Sequence, residues 1–334
     1  MGQLSSSNYK QGRFQNLVPS HFARPAGGGI PLLKEFLFGK AERVPVTPPE
    51  QTKLKVINKL EKKLLITWLG HSTVLIQLDR SLILTDPMFS HRASPVSFLG
   101  PVRFNRELPL ELDALPTIDA VVISHDHYDH LDKATIKTLH PRVKEFFVPL
   151  GVGNHLRAWG VPREKIHELD WWGESRSQAG VSFIATPARH FSGRGLKRNN
   201  TLWASWVIAG QEHRLYFSGD GGYSDTFKEI GEQFGPFAVT LMECGQYNES
   251  WADMHMLPEE SVQAHIDLRG EIMLPIHWGV FSISLHSWNE PIQRARNAAR
   301  ENHVNIATPQ IGGSLMYNTK IPAETWWEEV STGK

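Results

Sequence analysis

One nine-residue stretch constrains this chain more than any other. It reads SHDHYDHLD, spans Ser124–Asp132, and follows the apolar, β-branched segment IDAVVI. That segment predicts a buried strand, so the stretch is the loop at its carboxyl end. Because His125 and His127 alternate, an extended backbone points both side chains the same way. Asp129 and His130 follow within one turn. Imidazole and carboxylate groups that converge like this are typical of a site for a divalent metal such as zinc.

Composition narrows the class of protein. The 334 residues suffice for one large domain or two modest ones, and the 40% hydrophobic content is that of a globular protein. With 35 basic and 35 acidic residues, the chain has no basic excess that would indicate a nucleic-acid partner. Its single cysteine, Cys244, excludes an intrachain disulfide and a cysteine-rich zinc site. Histidine, aspartate and glutamate must therefore hold any metal.

The termini and hydropathy bear on localisation. No apolar run of about 18 residues predicts a transmembrane helix, and the N-terminus lacks the apolar core of a signal peptide. We therefore expect a cytoplasmic protein or one bound peripherally to a membrane. The opening MGQLSS also fits the loose N-myristoylation pattern at Gly2, although such short patterns arise often by chance.

The order of predicted elements indicates the fold class. Short strands such as LLITWLG and STVLIQLD come first, and helices alternate with strands later in the chain. This order predicts an α/β protein in which two β-sheets lie face to face with helices outside, an αββα four-layer sandwich. Residues 1–50 carry turn and extended signals, so we expect a partly irregular N-terminal extension before one main domain over 51–334.

Three further strands end in residues that bind metals. His190 closes IATPARH, Asp220 closes LYFSGD, and His277 closes IMLPIH. A single histidine at a strand end is most often a hydrogen-bonded bystander. Four strand ends that each deliver metal-binding groups favour one shared site.

Seven candidate ligands are too many for one tetrahedral zinc ion, and they suit two ions that share a carboxylate. We expect His125, His127 and His190 to bind the first ion. Asp129, His130 and His277 would bind the second, and Asp220 would bridge the two. A water or hydroxide between the ions would complete both shells.

The order His-x-His-x-Asp-His, followed at long intervals by His, Asp and His, resembles the metallo-β-lactamase superfamily. Within it, the chain is most similar to the N-acylphosphatidylethanolamine-hydrolysing phospholipase D family. The similar segments run in collinear order from about residue 65 to 281, and they are TWLGHSTVLIQLD, LTDPMFSHRASP, ISHDHYDHLD, FVPLG, ELDWW, EIGEQFGPF, MHMLPEESV and PIHWGVF. Met254, Gly221 and the stretch ECGQYNESW depart from the family pattern, so the chemistry transfers better than the identity of the substrate.

The resemblance implies an αββα sandwich with a dinuclear zinc site at one edge and hydrolysis of a phosphodiester. The seven ligands occupy the family's metal positions. His71 lies in a loop beside the metals, where it is a candidate for contact with substrate. Asp129 is first a ligand and secondarily steers a proton. His255 would bind the phosphate or protonate the leaving group, unless it is a helix-entry histidine that bonds only to backbone.

The loop SHRASPVSFLGPVRFNRE is a candidate substrate lip. Arg92, Arg103 and Arg106 would hold a phosphate, unless they are simply solvated. Phe98 and Leu99 would contact an acyl chain or merely pack the loop. The expected partners are a phospholipid or a small phosphodiester, with peripheral membrane contact; an oligomer is compatible with the sequence. The alternatives are a hydrolase of lactones or other soluble substrates from the same superfamily and a non-enzymatic metal-binding scaffold.

Overall fold

The computed structural model describes residues 6–20, 32, 34, 35, 38–54, 64–96, 98–195 and 197–332. An N-terminal hairpin pairs β1 (Tyr9–Lys10) with β2 (Arg13–Phe14) in antiparallel fashion. The division into an extension over 1–50 and a domain over 51–334 stays a prediction. Phe14 is fully buried among residues of the main body, so the hairpin is anchored there.

The first of two larger sheets has seven strands in the order β15-β3-β4-β5-β6-β7-β8. Strands β3 to β5 form an antiparallel meander, and β5 to β8 run parallel to one another. The strands are β3 (Leu65–Gly70), β4 (Thr73–Leu78), β5 (Ser81–Thr85), β6 (Ile118–Val122), β7 (Val143–Pro149), β8 (Ile166–Leu169) and β15 (Ser314–Met316).

The second sheet has six strands in the order β14-β13-β12-β11-β10-β9. Strands β9 to β12 pair antiparallel, whereas β12 to β14 are parallel. The strands are β9 (Glu174–Arg176), β10 (Ser182–Thr186), β11 (Ser205–Ala209), β12 (Arg214–Phe217), β13 (Phe237–Glu243) and β14 (Gly270–Ile276).

Helices cover the outer face of each sheet. Ile136 and Leu156, from α1 and α2, pack with Phe146 on the outside of the first sheet. Phe227 and Val262, from α3 and α4, pack on the outside of the second. Helix α6 instead contributes to the core between the sheets. The helices are α1 (Lys133–Leu139), α2 (Gly153–Ala158), α3 (Thr226–Phe234), α4 (Pro258–Asp267), α5 (Glu290–Glu301) and α6 (Trp326–Thr332).

Alternation along β7 shows why the layers form. Phe146 faces the outer helices, whereas Phe147 points into the core between the sheets, where it stacks on Phe183 of β10 with ring centroids 4.0 Å apart. Both faces of the strand are therefore apolar, as covered parallel sheets require. The predicted αββα sandwich is confirmed.

Two segments of the sequence, DKATIKTLH and PLLKEFLFG, predict short helices that can be compared with the structure. Asp132, the first residue of DKATIKTLH, is predicted to be the N-cap of that helix; it accepts a hydrogen bond from Ala134 N at 3.1 Å, which confirms it as the N-cap of α1. Strands β8 and β9 and helix α6 were not predicted. The two strands carry no apolar pattern, because β8 is only half-buried and β9 is largely exposed. In PLLKEFLFG the described residues Leu32, Lys34, Glu35 and Phe38 are helical, as predicted, whereas residues 31, 33, 36 and 37 lie outside the described part of the chain. Within the described part of the chain, no helix combines the length and apolar character needed to cross a membrane.

Candidate metal centre

The parallel strands of both sheets deliver polar side chains to one edge of the sandwich. In the first sheet, Asp86 follows β5 and the loop from Ser124 follows β6. In the second, Asp220 follows β12, Glu243 ends β13 and His277 follows β14. The carboxyl ends of parallel neighbours meet at the same edge of a sheet, which is where α/β proteins place their sites.

Three histidines form the first cluster. His127 Nδ1 lies 2.8 Å from His125 Nε2 and 3.3 Å from His190 Nε2. Burial lowers the pKa of all three imidazoles, and the neighbouring histidines lower it further for His125 and His190. The rings are therefore neutral, which is the form that binds a metal.

The second cluster gathers around Asp129. Its Oδ2 lies 3.0 Å from His71 Nε2, 3.3 Å from His130 Nε2 and 4.0 Å from His277 Nε2. Burial favours the neutral carboxyl group, but the imidazoles of His130 and His71 outweigh it and hold the pKa of Asp129 well below its usual range. His71 was expected beside the metals as a substrate contact. It is fully buried within this cluster, and its contact with substrate stays a prediction.

Asp220 lies between the two clusters. Its Oδ2 is 3.0 Å from His130 Nε2 in the second cluster and 3.8 Å from His125 Nε2 in the first. Its Oδ1 is 3.2 Å from His277 Nδ1. The predicted bridging role therefore has the geometry it needs, and all seven sequence-predicted ligands come together at one place.

Two buried atoms test whether a metal fits this site. His130 Nε2 and Asp220 Oδ1 are shielded from water, and although carboxylate or ring atoms lie 3.0–3.3 Å from them, no described residue makes a well-directed hydrogen bond to either. Such orphaned atoms cost free energy unless a ligand satisfies them. Neutral imidazole and carboxylate are the donors that zinc and similar ions prefer. The donor set therefore fits divalent metal.

Asp86 orients His130 from behind and was missed in the sequence. Its Oδ2 accepts from His130 Nδ1 at 2.6 Å and from Ser124 Oγ at 2.5 Å, and its Oδ1 accepts from Ser124 N at 2.7 Å. The bond fixes the proton of His130 on Nδ1 and leaves Nε2 for a metal. A signal was available, because Asp86 also follows a buried strand.

Glu243 and His255 form a buried pair beside the clusters. His255 Nδ1 lies 2.8 Å from Glu243 Oε2, and Glu243 Oε1 accepts from the backbone of Gly221 and Met256. Burial raises the pKa of Glu243. Burial opposes the charge on His255, but the carboxylates of Glu243 and Asp220 outweigh it and raise the pKa of His255. The sequence indicated His255 but not Glu243.

Three site residues adopt a backbone conformation that is rare outside glycine. The φ angles are 52° at His71, 32° at Asp86 and 66° at His277. Non-glycine residues with positive φ cluster at functional sites, where the surrounding structure holds the strain. Gly219 precedes Asp220 with a φ of 56°, and a Cβ there would lie 2.6 Å from Ser124 Cβ.

A cavity of about 230 Å³ opens onto both clusters. Its lining combines metal-site residues with apolar side chains, namely His127, Asp129, Phe191, Asp220, Gln246, Trp251, Met254, His255, His277 and Ile283. A polar reacting centre therefore meets an apolar wall.

The predicted substrate lip lies apart from this cavity. Phe98 and Leu99 are 79% and 67% exposed, so they are available to a partner. Arg92 lines a separate groove of about 680 Å³. Arg103 is buried, and its Nη1 donates to Met88 O at 2.9 Å. That burial does not support the expected contact of Arg103 with substrate, which stays a prediction.

Comparisons with known proteins agree with this architecture. An uncharacterized protein of Mycobacterium tuberculosis is 42% identical over 327 residues, which cover 96% of this chain and 87% of the relative. N-acyl-phosphatidylethanolamine-hydrolyzing phospholipase D 1 of Caenorhabditis elegans is 40% identical over 235 residues, which cover 66% of this chain and 65% of that protein. Igni18, a metallo hydrolase of Ignicoccus hospitalis, has a similar fold, with a TM-score of 0.58 at 20% identity over 77% of this chain and 100% of that one.

The family model described as the beta-lactamase superfamily domain matches residues 82–278. That span contains Asp86 and all seven predicted ligands, from His125 to His277. The matched segment therefore holds the side chains that meet at the metal centre, with the exception of His71. From the shared architecture and the matched segment, we conclude that the chain belongs to the beta-lactamase superfamily and is a metal-dependent hydrolase.

Proposed function

We propose that this hydrolase is a phosphodiesterase of phospholipase D type that holds two zinc ions and acts on N-acylphosphatidylethanolamine-like phospholipids. The observation that carries the two-ion proposal is the position of Asp220. One of its oxygens lies within 4 Å of ring nitrogens in both histidine clusters. A single ion would leave one cluster without the cation that its donor groups suit.

The residues divide between the ions as the sequence suggested. His125, His127 and His190 would hold one ion. The other would be held by Asp129, His130 and His277, with His71 in reach as a further donor. Two such ions would supply a lowered pKa for a water molecule, towards neutrality, and would offset negative charge on phosphoryl oxygens.

Protons are handled by residues of the chain. Asp129, at the cavity wall, accepts hydrogen bonds and steers the proton of the attacking water. His255 lines the same cavity and is held through Nδ1 by Glu243. Its Nε2 is therefore the atom that can donate a proton to the leaving oxygen. The helix-entry alternative, in which His255 bonds only to backbone, is disfavoured by this side-chain pair.

The reaction balances as a hydrolysis at phosphorus. The oxygen of water forms a bond to phosphorus, and the bond from phosphorus to the N-acylethanolamine oxygen breaks. One proton of water passes to that oxygen. The products are phosphatidic acid and N-acylethanolamine.

Two features support a lipid substrate. Phe191, Trp251 and Ile283 make the cavity partly apolar, and the exposed Phe98 and Leu99 suit contact with acyl chains at a membrane surface. A yeast relative, 32% identical over 68% of this chain and 50% of its own length, also bears the name N-acyl-phosphatidylethanolamine-hydrolyzing phospholipase D. Peripheral membrane contact follows from such a substrate.

Hydrolysis in ¹⁸O-labelled water tests the proposal. The zinc-loaded protein is incubated with vesicles that contain N-acylphosphatidylethanolamine, and mass spectrometry locates the label. We expect ¹⁸O in phosphatidic acid and none in N-acylethanolamine. A soluble phosphodiester and a lactone are assayed in parallel. Turnover of the lactone alone would favour a soluble-substrate hydrolase, and zinc binding without turnover of any substrate would favour a scaffold.

A further inference from the structure

We propose that Asn16, in the N-terminal segment, is a positioning residue for the metal centre. It holds the backbone of His190, which belongs to the first cluster. Asn16 Nδ2 donates to His190 O at 2.8 Å, and His190 N donates to Asn16 Oδ1 at 3.1 Å. The two residues are 174 positions apart in the chain. The amide therefore acts on His190 as a neighbouring strand would, with one donor and one acceptor.

The amide of Asn16 is itself fixed. Its Oδ1 also accepts from Trp203 Nε1 at 3.0 Å, and its Nδ2 also donates to Ser20 Oγ at 2.9 Å. Trp203 is 1% exposed and belongs to the core between the sheets. A side chain with these bonds has one orientation, so it can impose that orientation on the backbone it contacts.

The segment that carries Asn16 is anchored on both sides. Before it, Phe14 is buried in the core, and its backbone N donates to Asn199 O at 2.9 Å. After it, Pro19 O accepts from Arg189 Nη2 at 2.8 Å. Contacts at Phe14 and Pro19 therefore hold the segment in place where it passes the loop that contains His190.

His190 lies beyond the end of β10, which closes at Thr186; the adjacent Arg189 forms a β-bridge with Gly222, and Asn16 bonds to both the N–H and the carbonyl of His190 itself. Its ring is oriented by Nδ1, which donates to Met254 O at 2.9 Å and leaves Nε2 facing His127. The ring can keep this position only if the backbone stays in place. Residues that orient a ligand typically cost 10- to 100-fold in metal affinity when they are lost.

Zinc affinity tests the inference, which rests on the proposed two-ion centre. The full-length protein is stripped of metal and titrated with zinc against a chromophoric chelator, and its thermal unfolding is followed without metal. For Asn16→Ala we expect one of two zinc equivalents to bind about 10- to 100-fold more weakly and the other to bind as in the unsubstituted protein. Gln15→Ala, at an exposed neighbour, is the matched control and should leave both equivalents unchanged.

The outcomes separate the two proposals. If the unsubstituted protein binds fewer than two equivalents, the two-ion centre fails. If it binds two and Asn16→Ala binds both with unchanged affinity, only the role of Asn16 fails, even where the metal-free variant unfolds earlier. Equal weakening of both equivalents also overturns it. Should Asn16→Ala not fold, Asn16→Asp keeps the acceptor for His190 N and loses the donor to His190 O. An intermediate loss at one equivalent supports the role, and full affinity refutes it.

Discussion

Replacing Asp86 by asparagine tests how the chain prepares a ligand for metal. The carboxylate accepts three hydrogen bonds, one from His130 and two from Ser124. An asparagine of the same shape can still accept from Ser124 N through Oδ1. Its Nδ2 would then face the protonated Nδ1 of His130, and two donors would meet at the 2.6 Å that the carboxylate now spans. His130 would have to move its proton to Nε2, the atom that faces Asp129 and Asp220.

The magnitude follows from that change of tautomer. A hydrogen bond to a charged group contributes about 1.5–3 kcal/mol. Losing the bond to His130 should therefore weaken zinc binding at the second cluster by roughly 10- to 100-fold, or about 1.4–2.7 kcal/mol. The first cluster should be much less affected, because Asp86 is linked by hydrogen bonds to His125 through Ser124 Oγ, which lies 2.9 Å from His125 Nδ1, rather than directly.

Chelator competition measures both affinities, and the metal-free protein is unfolded thermally beside it. Asp119→Asn is the matched control, because Asp119 is also a buried carboxylate of the first sheet; it accepts from Leu82 N at 2.8 Å and pairs with Lys144. The control should lower stability and leave zinc affinity unchanged. Unchanged affinity in Asp86→Asn, with two ions bound, would refute the orienting role.

Four other outcomes follow. Asp220→Asn should reduce turnover more than about 100-fold and retain the fold, because loss of a residue that merely orients a metal ligand already costs about 10- to 100-fold in metal affinity or activity. Near-normal turnover would show that Asp220 does not bridge two ions. Metal analysis should find two zinc ions per chain, and activity lost on chelation should return on add-back. Phe98→Asp should weaken hydrolysis of vesicle lipid and spare a soluble phosphodiester, whereas Phe38→Asp, at another exposed phenylalanine, should spare both. Burial lowers the pKa of His265 to about 4, so as the pH falls this imidazole is protonated in the unfolded chain before it is protonated in the folded protein. The free energy of unfolding should therefore fall by up to about 3 kcal/mol between pH 6.5 and 4. In metal-free His265→Gln, the free energy of unfolding should fall less steeply over this range.

Sequence patterns predicted the strands and helices in which buried residues recur with a regular period. Strands such as β6 are apolar along their whole length, so periodicity and length identify them. Strands β8 and β9 escaped prediction because the first is only half-buried and the second is polar and largely exposed, so neither carries such a pattern. Helix α6 escaped because its two tryptophans, Trp326 and Trp327, pack into the core between the sheets rather than along an amphipathic stripe.

The same distinction applies to the residues of the metal centre: those next to an apolar strand could be predicted, and one that acts through a long-range contact could not. His190, Asp220 and His277 could be found because each lies at or beyond the carboxyl end of an apolar strand. Asp86 and Glu243 do the same and could have been found by the same rule. Asn16 could not, because its contact with His190 spans 174 residues and no local pattern encodes a hydrogen bond at that separation.

The centre depends on how closely the two sheets approach each other. The loop after β6 in the first sheet carries His125 and His130, whereas Asp220 follows β12 in the second sheet. The approach is tight at Gly219, where a methyl group would meet Ser124 Cβ at 2.6 Å. Ser124 in turn donates to Asp86, which orients His130. Because Asp220 and His130 are placed by opposite sides of this contact, the distance between them is set by packing between the sheets. The core therefore determines the geometry of the metal site as well as the stability of the fold.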